Sequence, residues 1–117
     1  MQLRMSTRSM EGALVVDCSG GVVFGEESAS LHDTVKKLLA QSPKVVLNLR
    51  EVNYIDSGGL GTLVSLYTTA RNAGGAVKLA SLSQRVGDLL QLTKLLTIFE
   101  VFDDEKAAAQ SFKKDAA

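Results

Sequence analysis

The chain of 117 residues has one cysteine, Cys18, one histidine, His32, and one proline, Pro43. A single cysteine excludes an internal disulfide, which fits a reducing compartment. One cysteine and one histidine also leave a zinc site without its usual ligands, so we expect neither a metal nor another cofactor. No apolar run approaches the roughly 20 residues that cross a bilayer, and residues 1–10 lack the apolar centre of a signal peptide. We therefore expect a cytoplasmic protein with no membrane partner.

The chain also lacks an excess of either charge, because Lys and Arg total 13 and Asp and Glu total 13. Nucleic-acid binding normally needs a basic surplus, so the balance argues against a nucleic-acid partner. Hydrophobic residues make up 45% of the chain, an ordinary share for a globular protein. The length suits one hydrophobic core, and we predict a single domain over residues 1–117.

The N-terminal part of the chain predicts strands. The turn signal Glu11-Gly12 separates residues 1–9 from the apolar, β-branched stretch Ala13 to Cys18, and the two stretches predict a hairpin. Gly20-Gly21 is predicted to end the second strand, with a short extended piece over residues 22–24 beyond it.

Four helical patterns follow. The first is predicted to be capped by Ser28 or Ser30, and Pro43 stops it at Ser42. The predicted inward positions of the first helix are Leu31, Val35, Leu38 and Leu39, and those of the second are Leu60, Leu63, Val64, Tyr67 and Ala70. The third follows Ser81 or Ser83, with Val86, Leu89, Leu90 and either Leu92 or Thr93 facing inward. The last covers Glu105 to Lys113 after a cap at Asp103 or Asp104.

Strands are predicted between these helices, over residues 45–49, 76–80 and 97–102. A hairpin followed by strand–helix alternation predicts an α/β fold with right-handed crossovers. We expect a mixed, mostly parallel sheet of four to five strands with four helices.

The most informative stretch runs from Val45 to Gly61. Val45–Leu49 is an apolar run typical of a strand buried on both faces. Asp56-Ser57-Gly58-Gly59 is a turn signal, and the second helical pattern begins with Leu60. The hydroxyl of Ser57 therefore stands where a buried strand gives way to a helix.

Three chemical interpretations of this turn are weak. The nucleophile motif of hydrolases, G-x-S-x-G, fails because Ile55 stands two residues before Ser57, and the only possible base, His32, is expected on the surface of another helix. The turn does not match the phosphate-binding P-loop motif, because the required lysine is missing. It does not match the dinucleotide-binding motif either, because the glycines do not have the required spacing. The glycines then indicate either a tight turn or the approach of another molecule to the backbone.

Modification of Ser57 is the stronger interpretation. A serine beside a helix N-cap has a sufficient structural explanation, but Asp56 already offers that capping chemistry. A phosphate on Ser57 would lie at the positive end of the helix dipole and would add about two negative charges beside Asp56. Such a modification could change what binds to Gly58, Gly59 and Leu60 without unfolding the domain.

At Val52-Asn53-Tyr54-Ile55-Asp56-Ser57-Gly58-Gly59-Leu60-Gly61 the sequence resembles the STAS domain family, in particular bacterial anti-sigma factor antagonists. The resemblance implies a binding protein that is not an enzyme. It implies that an anti-sigma factor serine kinase phosphorylates Ser57 and that a serine phosphatase resets it. The unphosphorylated form would bind the kinase through Asp56, Ser57, Gly58, Gly59 and Leu60 and so release a sigma factor for transcription.

The sequence departs from the family pattern at three places. Asn48 stands where an acidic residue is common, Val23 stands where an aspartate is common, and Lys94 replaces a late glycine of the third helix. The change at Val23 removes a charge near an expected partner-facing loop. The alternative implied by the family is a non-phosphorylated subunit of a stress-signalling or lipid-transport complex.

Overall fold

The computed structural model describes residues 2–115, which form one five-stranded sheet with four α-helices. The strands are β1 (Leu3–Met10), β2 (Ala13–Val22), β3 (Lys44–Ile55), β4 (Ala76–Ala80) and β5 (Val101–Phe102). The helices are α1 (Glu26–Leu39), α2 (Ser57–Asn72), α3 (Gln84–Leu92) and α4 (Glu105–Asp115). A short 3₁₀ turn covers Leu95–Thr97.

The strands lie in the order β1-β2-β3-β4-β5. β1 pairs with β2 in antiparallel register through the turn at Glu11-Gly12, and the other three pairings are parallel. The predicted α/β fold, with its hairpin and mostly parallel sheet, is confirmed. Met1, included in the first predicted strand, lies outside the described residues.

The predicted stretch of the central strand β3, residues 45–49, is largely buried on both faces. Val45, Leu47 and Leu49 belong to the larger core, which α1, α2 and α3 cover. Val46 belongs to a smaller core on the other face, which α4 covers with Ala108, Ala109 and Phe112. Cys18 lies in the larger core, where burial raises the pKa of its thiol to about 12.

The predicted end of β2 at Gly20-Gly21 is wrong. The strand continues to Val22, with shifts in its register against β3 after Asp17 and between the two glycines. Gly20 has a φ of 101°, and a Cβ there would lie 1.9 Å from the carbonyl oxygen of Gln2. The glycines therefore make the strand irregular and let β1 approach closely, instead of ending the strand.

The predicted cap of α1 is also wrong. The helix begins at Glu26, after Gly25 with a φ of 112°, and no side chain caps it. Ser28 is buried inside the first turn, where its hydroxyl donates to the carbonyl oxygen of Val23 at 2.5 Å. This bond holds the chain leaving β2 against the start of α1. The caps of the later helices are among the predicted alternatives, since Ser83 caps α3 and Asp104 caps α4.

Two predicted faces need correction. In α2 the buried residues include Gly59 and Leu66, whereas Val64 is exposed, because the inward face follows positions 59, 63, 66 and 70. In α3 the last predicted inward residues, Leu92 and Thr93, are both exposed.

The predicted strand over residues 97–102 is largely wrong. The chain turns at Lys94 and through the 3₁₀ turn, so only Val101 and Phe102 pair with β4. The apolar residues before them serve the core instead, where Phe99 is buried and its ring meets that of Tyr67 edge-on.

Candidate functional site

The carboxyl ends of β2 and β3 meet at one edge of the sheet, and the loops that follow them form the candidate site. β2 leads through Val23, Phe24 and Gly25 into α1, and β3 leads through Asp56 into α2. The two strands pair as far as Val22 and Ile55, so these loops are neighbours.

Asp56 is the N-cap of α2. Its Oδ1 accepts a hydrogen bond from the N–H of Gly59 at 2.8 Å, and its backbone oxygen accepts from the N–H of Leu60 at 2.9 Å. The backbone at Asp56 is extended, which is the conformation expected of a capping residue. The sequence offered both Asp56 and Ser57 as capping residues. In the structure Asp56 caps the helix, and Ser57 is the next residue.

The same carboxylate holds the neighbouring loop. Both oxygens of Asp56 accept from the N–H of Phe24 at 3.1 Å. The N–H groups of Gly59 and then of Phe24 hold the pKa of the Asp56 carboxyl below its ordinary value, because they stabilise the ionised form. One charged group thus fixes the start of α2 and the loop after β2 relative to each other.

Ser57 is the first residue of α2, and its side chain is exposed. Within residues 2–115 its hydroxyl makes no hydrogen bond, whereas the hydroxyl of Thr62, one turn later, donates to the carbonyl oxygen of Gly58 at 3.1 Å. The capping role is taken by Asp56, so the hydroxyl of Ser57 has no structural task in the described part of the chain. It remains accessible at the positive end of a 16-residue helix.

The first two glycines of the turn have internal reasons. A Cβ on Gly59 would lie 2.0 Å from the carbonyl oxygen of Val22, and one on Gly58 would lie 2.5 Å from the Cβ of Phe24. Both are needed for α2 to approach the loop after β2. Gly59 is buried, so its backbone is not a free surface, while Gly58 and Leu60 are half-buried.

Gly61 differs from those two glycines. A Cβ built on it meets no atom within 4 Å. Glycine inside a helix is less favourable than alanine by about 1 kcal/mol, and at this position no internal contact explains it. Gly61 lies on the wall of a groove between α1 and α2, together with Gly58, His32 and Phe24.

Phe24 belongs to the candidate site by its position, and the sequence interpretation did not include it. The residue is 82% exposed, although its backbone N–H is fixed by Asp56. The sequence carried a weak signal, since an aromatic residue just before Gly25 follows a buried strand that neighbours β3. The wrong end assigned to β2 hid this relation.

His32 lies on α1 and is half-buried. It lines the groove beside Gly58 and Gly61, but Ser57 does not line that groove. No hydrogen bond joins His32 to Ser57 in the part of the chain that the structure describes. Residues 2–115 also hold no cluster of three or more histidine, cysteine or acidic side chains arranged to bind a metal ion.

Comparison with known proteins gives a consistent set of relatives. The profile of the STAS domain matches residues 4–108. The chain is 30% identical to BtrV of Bordetella bronchiseptica, over 95% of this chain and 96% of the BtrV chain. BtrV carries the name of an anti-sigma factor antagonist. The anti-sigma-B factor antagonist of Bacillus subtilis is 26% identical over 94% of this chain and 100% of its own.

Solved structures share the fold. The anti-sigma factor antagonist SpoIIAA in its unphosphorylated form has a TM-score of 0.65 and 11% identity, covering 99% of this chain and 100% of its own. The phosphorylated form of SpoIIAA, a cell fate determinant of Bacillus, has a TM-score of 0.67 and 14% identity, covering 92% and 99%. In this chain, none of the helices within residues 2–115 has the length and apolar character to span a bilayer.

Proposed function

This chain belongs to the STAS domain family, and on that premise we propose that it is an anti-sigma factor antagonist controlled by phosphorylation of Ser57. In the unphosphorylated form it binds an anti-sigma factor serine kinase in the cytoplasm, and the kinase then releases its sigma factor. Phosphorylation of Ser57 by that kinase ends the complex, and a serine phosphatase restores the binding form. The chain acts by binding and is a substrate of these enzymes, not a catalyst.

The observation that carries this proposal is the free hydroxyl of Ser57. Asp56 caps α2, so phosphorylation of Ser57 removes no hydrogen bond of the described structure. The added phosphate would lie at the amino end of α2, where the helix dipole favours negative charge. Its charge would adjoin the ionised Asp56, and a partner that contacts this edge would meet both groups.

The names of the relatives support the antagonist role. BtrV and the B. subtilis protein are named as anti-sigma factor antagonists and match this chain over nearly its full length. SpoIIAA, of the same fold, has both an unphosphorylated and a phosphorylated form. A phosphorylated state is therefore compatible with this architecture.

The test is phosphate transfer in vitro. The histidine-kinase-like ATPases of the source organism are purified, each is incubated with the chain and ATP, and the phosphorylated residue is mapped by mass spectrometry. We expect one phosphate at Ser57, lost in Ser57→Ala and kept in Ser65→Ala, which removes an exposed hydroxyl of the same helix.

Phosphate at another residue, or none with kinases shown to be active, would contradict the switch. Stable association with transport or stress-signalling components in the absence of phosphate would instead favour the non-phosphorylated subunit.

A further inference from the structure

We infer that Phe24 and the groove between α1 and α2 form the docking surface for the serine kinase. The aromatic ring inserts into an apolar pocket of the kinase that is bordered by Lys or Arg side chains. This inference rests on the proposed function and assigns the partner's contact to residues outside the Ser57 turn itself.

The first argument is the exposure of Phe24. With 82% of its surface accessible, it is the most exposed large hydrophobic residue among residues 2–115. Its backbone is nevertheless fixed, because both oxygens of Asp56 hold its N–H and its Cβ lies over Gly58. With its backbone anchored, only the two side-chain torsions of Phe24 need to be ordered on binding, and aromatic residues dominate the energetic centres of protein interfaces.

The second argument is the groove beside the ring. It has a volume of about 520 Å³, and its walls are the facing sides of α1 and α2. Gly61 contributes a wall without a side chain, and no contact within the described residues accounts for that glycine. A helix residue that lowers stability without an internal reason is explained if a partner side chain occupies the space beside it.

The third argument is the charge around this surface. Asp33 lines the groove, Glu26 follows Phe24 by two residues in the first turn of α1, and Asp56 lies behind the loop. The groove lining includes neither lysine nor arginine. The complementary partner surface is therefore apolar at its centre and basic at its border.

The phosphorylation site is close enough to control this surface. Ser57 directly precedes Gly58, where a Cβ would lie 2.5 Å from the Cβ of Phe24. A kinase that binds the ring and the groove would therefore hold the hydroxyl of Ser57 within its reach. Phosphate at Ser57 would add bulk beside the contact and negative charge at the point to which the kinase brings the γ-phosphate of ATP, so like charges would oppose rebinding.

The first experiment measures the dissociation constant of Phe24→Ala for the kinase that phosphorylates the wild-type chain, by titration calorimetry with an ATP analogue that cannot transfer phosphate. Alanine keeps the Cβ that lies over Gly58, so only the exposed ring is lost. We expect the Kd to rise at least about 20-fold, as for an interface hot spot, with an unchanged melting temperature.

Leu92→Ala is the matched control, because Leu92 is 80% exposed at the end of α3. We expect its Kd to equal that of the wild type. A wild-type Kd for Phe24→Ala, or a loss of binding in Leu92→Ala instead, would overturn the assignment of the surface.

The second experiment uses Gly61→Ala, which we expect to fold like the wild type. The added methyl group has free space within the chain, so we expect the melting temperature to rise by about 2–5 °C. The same methyl group narrows the groove, so we expect the Kd to rise at least about 5-fold. The control is Gly87→Ala, a helical glycine of α3 whose Cβ would meet Leu82 only at 3.9 Å, and which should gain stability without losing affinity.

A stabilised Gly61→Ala variant that binds like the wild type would contradict the groove. The proposed function has its own test, independent of the docking surface: it is contradicted if no kinase transfers phosphate to the wild-type chain. The association rate should also fall as NaCl is raised, because the proposed contact joins opposite charges. A rate independent of salt would contradict the basic border.

Discussion

Lys94 follows α3 in the left-handed backbone conformation, with a φ of 62°. Its N–H donates to the carbonyl oxygen of Gln91 at 3.1 Å, as expected for the residue that ends a helix. The resemblance to the STAS family implies a glycine at this position. The structure gives the physical reason for that preference, because a Cβ makes this conformation unfavourable by about 1–2 kcal/mol.

Lys94→Gly should therefore stabilise the protein. We expect the free energy of unfolding to rise by about 1 kcal/mol and the melting temperature by about 4 °C, less than the full strain because glycine makes the unfolded chain more flexible. Thermal denaturation followed by circular dichroism measures the change. Lys94→Ala is the control, since it removes the same charge but keeps the Cβ, and equal stability of the two variants would show that backbone strain is not the cause.

Asp56 allows a prediction on pH at the same scale. Its pKa is lowered in the folded chain by the N–H groups of Gly59 and Phe24. A lowered pKa means that the ionised group stabilises the fold above its ordinary pKa, near 3.8, and that this stabilisation is lost as the pH falls through the folded value. The wild type should thus gain stability over Asp56→Asn at neutral pH and lose this advantage in acid.

The melting temperatures of the wild type and of Asp56→Asn, compared between about pH 7 and pH 2, test this. Asparagine can still cap the helix, so the difference reports the charge. Taking the difference also removes the contribution of Asp17, whose pKa is lowered chiefly by Arg8 and which remains in both proteins. A difference that does not change with pH would contradict the role of the carboxylate.

At the scale of elements, Lys78 on β4 connects α4 to the sheet through its buried side chain. Its side chain is 1% exposed, although β4 is otherwise apolar. The Nζ donates to Ser111 at 2.7 Å and to Asp115 at 2.5 Å, and lies 4.2 Å from the ring centre of Phe112. The aliphatic stem lies on the side of the smaller core, and the ammonium group donates hydrogen bonds to the last turns of α4.

Two variants separate these contributions. Lys78→Ala removes the stem and should lower the free energy of unfolding by about 2–4 kcal/mol, as for other large buried side chains. Lys78→Met keeps the stem and removes the charge, so it should stay within about 1.5 kcal/mol of the wild type. Urea denaturation measures both values. Equal losses in the two variants would show that the ion pair, and not the packing, holds α4.

The order of elements could be predicted from the sequence because strand and helix patterns alternate clearly. The errors have specific physical causes. Gly20-Gly21 carries an irregularity inside β2, and Phe99 reaches the core from a turn, not from a strand. Both depend on tertiary contacts that local patterns do not contain.

The candidate site was predictable to a similar degree. The turn of Asp56 and Ser57 at the start of α2 could be located because turn and helix signals are local. Phe24 was missed because its place beside Gly58 arises only when β2 and β3 pair.

At the scale of the whole molecule, the residues that stabilise the fold are distinct from the hydroxyl that is proposed to be modified. α1, α2 and α3 cover one face with the larger core, and α4 closes the other. The candidate site lies at the edge where β2 and β3 end, so its residues are held by strands that both cores fix. The hydroxyl of Ser57 carries none of this packing, and a charge placed there can alter the surface while the scaffold stays intact.

Ser57→Asp tests this separation. We expect the variant to lose at least about 10-fold in affinity for the ATP-bound kinase, because the kinase must bring the γ-phosphate of ATP to this position, where the carboxylate meets like charge and leaves polar groups imperfectly paired. Its melting temperature should stay near that of the wild type, since an acidic side chain suits the first turn of α2. Ser9→Asp is the control: it adds the same charge on β1, opposite Leu14 near the other end of β2. Unchanged affinity in Ser57→Asp would place the contact away from this edge. An equal loss of affinity in Ser9→Asp would show that the effect comes from net charge and not from the position of the charge.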